Sequence, residues 1–152
     1  MSAPLTIVIR GFKQAPEGIS IYWHWGAETN EIIRFAVKDT KEAIAGLSPD
    51  SDIPTILKAI LNHQNGGAGL ATHFTWWHCW YDDDRTLVED KAAYEAEIGV
   101  IQEMIEKHDI PEVKDRNAGA IAFTPGLAHR MSYHCDWAEY IDIKEDYVVK
   151  NA

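Results

Sequence analysis

Two short apolar runs open the chain. Leu5 to Arg10 (LTIVIR) is rich in β-branched residues and bounded by Pro4 and Gly11, which predicts a strand. Turn chemistry follows at Lys13 to Gly18. Ile19 to Trp25 then alternates, with Ile19, Ile21, Trp23 and Trp25 on one face and Ser20, Tyr22 and His24 on the other. Together the two runs predict a hairpin.

Periodicity changes after Gly26. Glu28-Thr29-Asn30-Glu31 has the composition of a helix start, and Ile33, Ala36, Val37, Ile44 and Leu47 follow at helical spacing until Gly46 and Pro49. Asp52 and Pro54 open a second helix, carried by Ile53, Leu57, Ile60 and Leu61 to the Asn65-Gly66-Gly67 stop. Gly69 to Tyr81 fits either a buried strand or continued helix. Thr86 to Glu89 matches a capping box, and a long helix is expected from about Arg85 to Lys107, a helical insertion over 85–110. Gly99 weakens that helix by ~1 kcal/mol relative to alanine.

Ala120 to Thr124, Met131 to Trp137 and Glu139 to Val149 read as strands. Strands at both ends with helices between them predict one α+β domain over residues 1–152. Its mixed or antiparallel sheet combines an N-terminal hairpin with C-terminal strands, packed by about three helices.

The 152 residues suffice for a substantial core, and no apolar run approaches the roughly 20 residues that span a bilayer. Net charge is -10, and its distribution is uneven: residues 1–81 carry 6 basic and 7 acidic groups, residues 82–152 carry 8 and 17. Such a field repels phosphates and anionic membranes, so neither direct duplex binding nor membrane attachment is expected. It favours basic partner proteins, and one reading is an acidic DNA-mimic inhibitor. The start MSAPLTIVIR lacks the pattern of a signal peptide, and two cysteines form no dense framework. Both observations fit a cytoplasmic location.

Candidate chemistry is sparse. His78-Cys79 and His134-Cys135 form two pairs that suggest a Cys2His2 metal site, but adjacent residues on strands point to opposite faces. Two-histidine phosphoesterases need two His-x-Thr/Ser motifs for an acid and a base. His73-Phe-Thr75 supplies one, whereas His129-Arg-Met-Ser132 is one residue too long. A histidine-based hydrolase would draw on His73, Thr75, His129 and His134, with or without metal. No P-loop, dinucleotide fingerprint or nucleophile elbow is present, and no cofactor is expected.

Six tryptophans are the stronger signal. Indoles supply rigid contact area and flat faces for stacking. Trp76, Trp77 and Trp80, with Tyr22 and His24, form the expected contact surface.

Tyr22-Trp23-His24-Trp25-Gly26 before a helix, and Asp136-Trp137-Ala138-Glu139-Tyr140 before a strand, resemble a group of small phage- and prophage-encoded proteins. That group carries a Tyr-x-His-Trp-Asp-Gly strand end and an Asp-x-x-Glu-Tyr-x-Tyr strand. Here the aspartate before Gly26 is missing, and Asp142 replaces the final tyrosine. The resemblance implies a mobile-element origin in a bacterial host and an α+β fold, and brings no catalytic residues. The expected role is therefore a phage-type accessory protein that binds without catalysis. Its target would be a host defence protein or a small nucleotide-like ligand, and a homo-oligomer is the expected form.

Overall fold

A computed structural model of the chain describes residues 3–63, 69–71, 91–113, 119–133, 135 and 137–143. Among these residues six strands form one mixed sheet: β1 (Leu5–Arg10), β2 (Ile19–Trp23), β3 (Leu70–Ala71), β4 (Glu112–Val113), β5 (Ala120–Ala122) and β6 (Trp137–Asp142). Their spatial order is β4-β3-β5-β2-β1-β6. The helices among the same residues are α1 (Asn30–Ile44), α2 (Ile53–His63), α3 (Lys91–His108) and α4 (Pro125–Tyr133). The fold is α+β.

β1 and β2 form the expected antiparallel hairpin, with Ile7 opposite Ile21 and Ile9 opposite Ile19. β2 also runs against β5, while β3–β4, β3–β5 and β1–β6 are parallel. β2 is thus the one strand of the six whose direction is reversed. β6 returns from α4 to the free side of β1, placing Ile7 beside Glu139 and Ile9 beside Ile141.

Alternation along the strands sorts the core into two faces. Leu5, Ile7, Ile9, Ile19, Ile21 and Ile141 share one face and are buried. α1 packs on this face against β1 and β6, and α2 packs on α1. Ala36 and Ile44 of α1 and Ile56, Leu57 and Ile60 of α2 are buried in the same core. Both helices start as their sequences dictate. Thr29 Oγ1 accepts from the Ile32 N–H at 3.1 Å, and Asp52 Oδ1 from the Thr55 N–H at 2.9 Å.

Thr6, Val8, Ser20 and Tyr22 point to the opposite face, which α4 covers. Thr6 Oγ1 donates to the Met131 carbonyl at 3.0 Å and Ser20 Oγ to the Ala128 carbonyl at 3.1 Å. Two expectations are corrected here. Met131 does not begin a strand but closes a helix, because Pro125 suits the first helical position and Leu127, Ala128 and Met131 bury at helical spacing. The Ser20–Tyr22 side is consequently interior, and Tyr22 is only 6 % exposed.

Boundaries shift elsewhere. β2 stops at Trp23, where the Gly26 N–H donates to the Trp23 carbonyl and turns the chain. Of the ambiguous Gly69–Tyr81 segment, Leu70 and Ala71 are strand, and 72–81 lie outside the described residues. The described part of the long helix runs Lys91–His108, and β6 ends at Asp142. Residues 85–90 and 144–149, predicted as helix and strand, lie outside the described set. No helix among the described residues is long and apolar enough to cross a membrane.

Candidate functional site

Much of the expected aromatic surface (Trp76, Trp77 and Trp80) lies outside the described residues, as do His73, Thr75, His78, Cys79 and His134. The described members can be placed. Tyr22 is interior, and its hydroxyl hydrogen-bonds His24 Nδ1 at 2.8 Å. His24 is half-buried and meets the Trp25 ring edge-on, with centroids 4.8 Å apart. Tyr22 therefore positions His24 from within rather than contributing to an outer surface itself. Cys135 follows α4, where its Sγ lies 2.8 Å from Thr6 Oγ1 and 3.0 Å from the Met131 carbonyl. The thiol is thus tied into the end of α4.

His129 is exposed on α4 and lines a cavity of about 300 Å³ with Arg10, Glu17, Ser20 and Tyr140. The Arg10 guanidinium stands 4.5 Å over the Tyr140 ring, a cation–π contact. His129 is the histidine that lines this cavity among the described residues; the other histidines of the expected acid–base set, His73 and His134, lie outside them.

Several aromatic side chains are exposed among the described residues. Trp25 is 48 %, Trp137 51 % and Tyr140 56 % exposed. Trp137 and Tyr140 both belong to β6, the end strand among the described residues, but on opposite faces. Trp137 shares the α1 face with Glu139, to whose carboxylate its indole N–H donates.

Between α1 and β6 lies the larger cavity, about 480 Å³. α1 and the Ala45 that caps its C-terminus give it an apolar floor, Ile33, Val37 and Ala45, and α1 gives a cationic row, Arg34, Lys38 and Lys41. These three recur at i, i+4 and i+7, the spacing that stacks side chains along one helix stripe. Glu139 closes the strand side and Glu42 the far end of the helix side. A local positive stripe on a chain of net charge -10 is a feature that whole-chain charge counting conceals. Its i, i+4, i+7 pattern in RFAVKDTK is the available signal.

Next to Glu42, α1 and α2 meet through polar groups. His63 in the last turn of α2 directs Nδ1 at Asp39 Oδ1, 3.0 Å away, and Nε2 at Glu42 Oε2, 3.6 Å away. Asp39 falls on the buried stripe of α1 beside Ala36 and Thr40. No motif points to these three residues. Their one signal in the sequence is a carboxylate set three residues after Ala36, on the apolar stripe of an amphipathic helix.

Comparison of the chain with protein-family models, curated proteins and solved structures gives no match.

Proposed function

We propose that this protein binds without catalysis, and that its ligand is a nucleoside phosphate held in the α1–β6 groove. The observation that carries this reading is the groove's composition. Arg34, Lys38 and Lys41 border an apolar floor of Ile33, Val37 and Ala45. Guanidinium and ammonium groups recognise phosphate, and an apolar floor accepts a sugar and base. The exposed indole of Trp137, tethered to Glu139 at the groove's edge, offers a face for stacking. A volume of about 480 Å³ suits a ligand of that size.

The test is titration of the purified full chain with ATP, GTP, AMP and inorganic phosphate, followed by tryptophan fluorescence and thermal melting. At least one nucleotide should bind, and Lys38→Glu should weaken it by at least about tenfold through loss of a charge-assisted contact. Absence of any nucleotide-dependent change, or an unchanged affinity in Lys38→Glu, overturns the reading.

A second reading is favoured by a separate observation. Among the described residues β6 ends the sheet, with Tyr140 exposed and Glu139 and Asp142 along it. An open edge pairs with a strand of another protein, and the acidic residues favour a basic one. Ala138→Pro would abolish such binding and leave nucleotide affinity in the groove intact.

A further inference from the structure

We propose that Asp39, Glu42 and His63 form a binding site for one zinc-class divalent cation, joining α1 to α2. The proposal does not depend on the nucleotide reading, although Glu42 also borders that groove.

Three observations converge. First, one nitrogen ligand and two carboxylates offer atoms that all lie within 4.8 Å of one another. Imidazole with carboxylate oxygens is a donor set for zinc and related first-row dications. Second, Asp39 is held in place: its side chain is 9 % exposed, and it sits on the inner stripe of α1. Third, its Oδ2 is buried and has no hydrogen-bond partner among the described residues. A buried carboxylate oxygen left unpaired carries an uncompensated desolvation cost. Such an atom is most readily tolerated where something else completes it.

Charge points the same way. With neutral His63 the cluster carries two negative charges, one of them largely withdrawn from water. A dication bound by the Asp39 carboxylate cancels both and gives Oδ2, which has no hydrogen-bond partner among the described residues, a positive neighbour. Asp39 Oδ1 and His63 Nδ1 are 3.0 Å apart, near the roughly 3.3 Å between ligands of a tetrahedral zinc with bonds of about 2.0–2.1 Å. Glu42, 53 % exposed, has the freedom to swing in as the third ligand. Water would fill the fourth position. Nδ1 is therefore the ligating nitrogen, and Nε2, which faces Glu42 at 3.6 Å without the metal, is left to solvent once Glu42 has moved to the ion.

The alternative is a purely protonic clamp, in which a charged His63 bridges two carboxylates without any metal. Chelator-treated full-length protein separates the two when titrated with Zn²⁺ or Mn²⁺ by calorimetry and thermal melting. The cysteines elsewhere in the chain are controlled with a Cys79→Ser/Cys135→Ser background. One ion per chain should bind and raise the melting temperature in that background. His63→Gln, a change at a partly exposed position, should weaken binding by more than about tenfold, and Asp39→Asn should do the same. Absence of a bound ion overturns the proposal. So does undiminished affinity in folded His63→Gln, whatever becomes of Asp39→Asn.

Discussion

Glu97 caps a helix to which it does not belong. Its carboxylate accepts from the Gly126 N–H at 2.9 Å and from the Leu127 N–H at 3.1 Å. Gly126 and Leu127 lie in the first turn of α4, where N–H groups have no partner within the helix. The side chain reaches there from α3, so one residue both satisfies two orphan donors and places negative charge at the positive end of the dipole. It also fixes α3 to the helix that covers β1 and β2. Glu97→Ala should cost about 1–2 kcal/mol, the range of a lost N-cap. In a chain of this length that is a melting temperature about 2–8 °C lower. Glu97→Gln, which keeps an acceptor and loses the charge, should fall between the two.

Two glycines should respond in opposite directions to alanine. Gly69 has φ +147°, and a Cβ there would run into the Pro111 carbonyl oxygen, immediately beside the β3–β4 pairing. Backbone cannot yield as a side chain can, so Gly69→Ala should destabilise by more than about 2 kcal/mol. Gly99 lies within α3, and an added methyl group there would meet nothing within 4 Å. Gly99→Ala should stabilise by about 0.8–1 kcal/mol, the helix-propensity difference. Urea midpoints of the two variants against the parent decide both.

Asp52 makes the stability of α2 sensitive to acid. Its hydrogen bonds from Thr55, side chain and backbone, hold its carboxyl below the ordinary value of 3.8, with smaller help from His108 and Lys58. A group with a depressed folded pKa stabilises the fold above its unfolded value, and the contribution disappears as pH falls through the lower folded value. Wild type should therefore lose stability more steeply than Asp52→Asn, which caps without titrating, as pH falls below the ordinary carboxyl value of 3.8. Equal acid limbs for the two proteins in chemical denaturation would refute this.

Acrylamide should reach some of the tryptophans and spare others. Trp25 and Trp137 are about half exposed, whereas Trp23 packs against the core and its Nε1 is buried. Trp137→Phe should lower the quenchable fraction of the emission, and Trp23→Phe should raise it. The reverse ranking would contradict the placement of β6.

The parts of the fold that can be read from residues alone are those where local pattern and tertiary environment agree. Leu5–Arg10 is a strand between the very residues its punctuation marks, and Thr29 and Asp52 cap the helices that their positions in the sequence open. Agreement ends where burial is decided by a distant segment. Ser20 and Tyr22 alternate with isoleucines and so look outward-facing, but α4, more than a hundred positions later, covers them. The end of that helix looks like a strand because Met-Ser-Tyr-His-Cys carries strand-forming types, whereas Pro125 upstream has already set a helical start. The candidate sites are harder still to read. Arg34, Lys38 and Lys41 become a row only on a wound helix, and His63 meets Asp39 only after α1 and α2 cross.

The β1–β6 pairing has a consequence for biosynthesis. Leu5 is paired with Trp137, and Thr6 with the carbonyl of Met131, 125 positions away. A nascent chain exposes its first hairpin long before translation reaches Asp142, and until then β1 has neither its second neighbour nor the α4 cover. Ring closures this long are slow to form. The half-made sheet should accordingly spend its time on the ribosome as a chaperone client, with Leu5, Ile7 and Ile9 as the segment such a factor would hold.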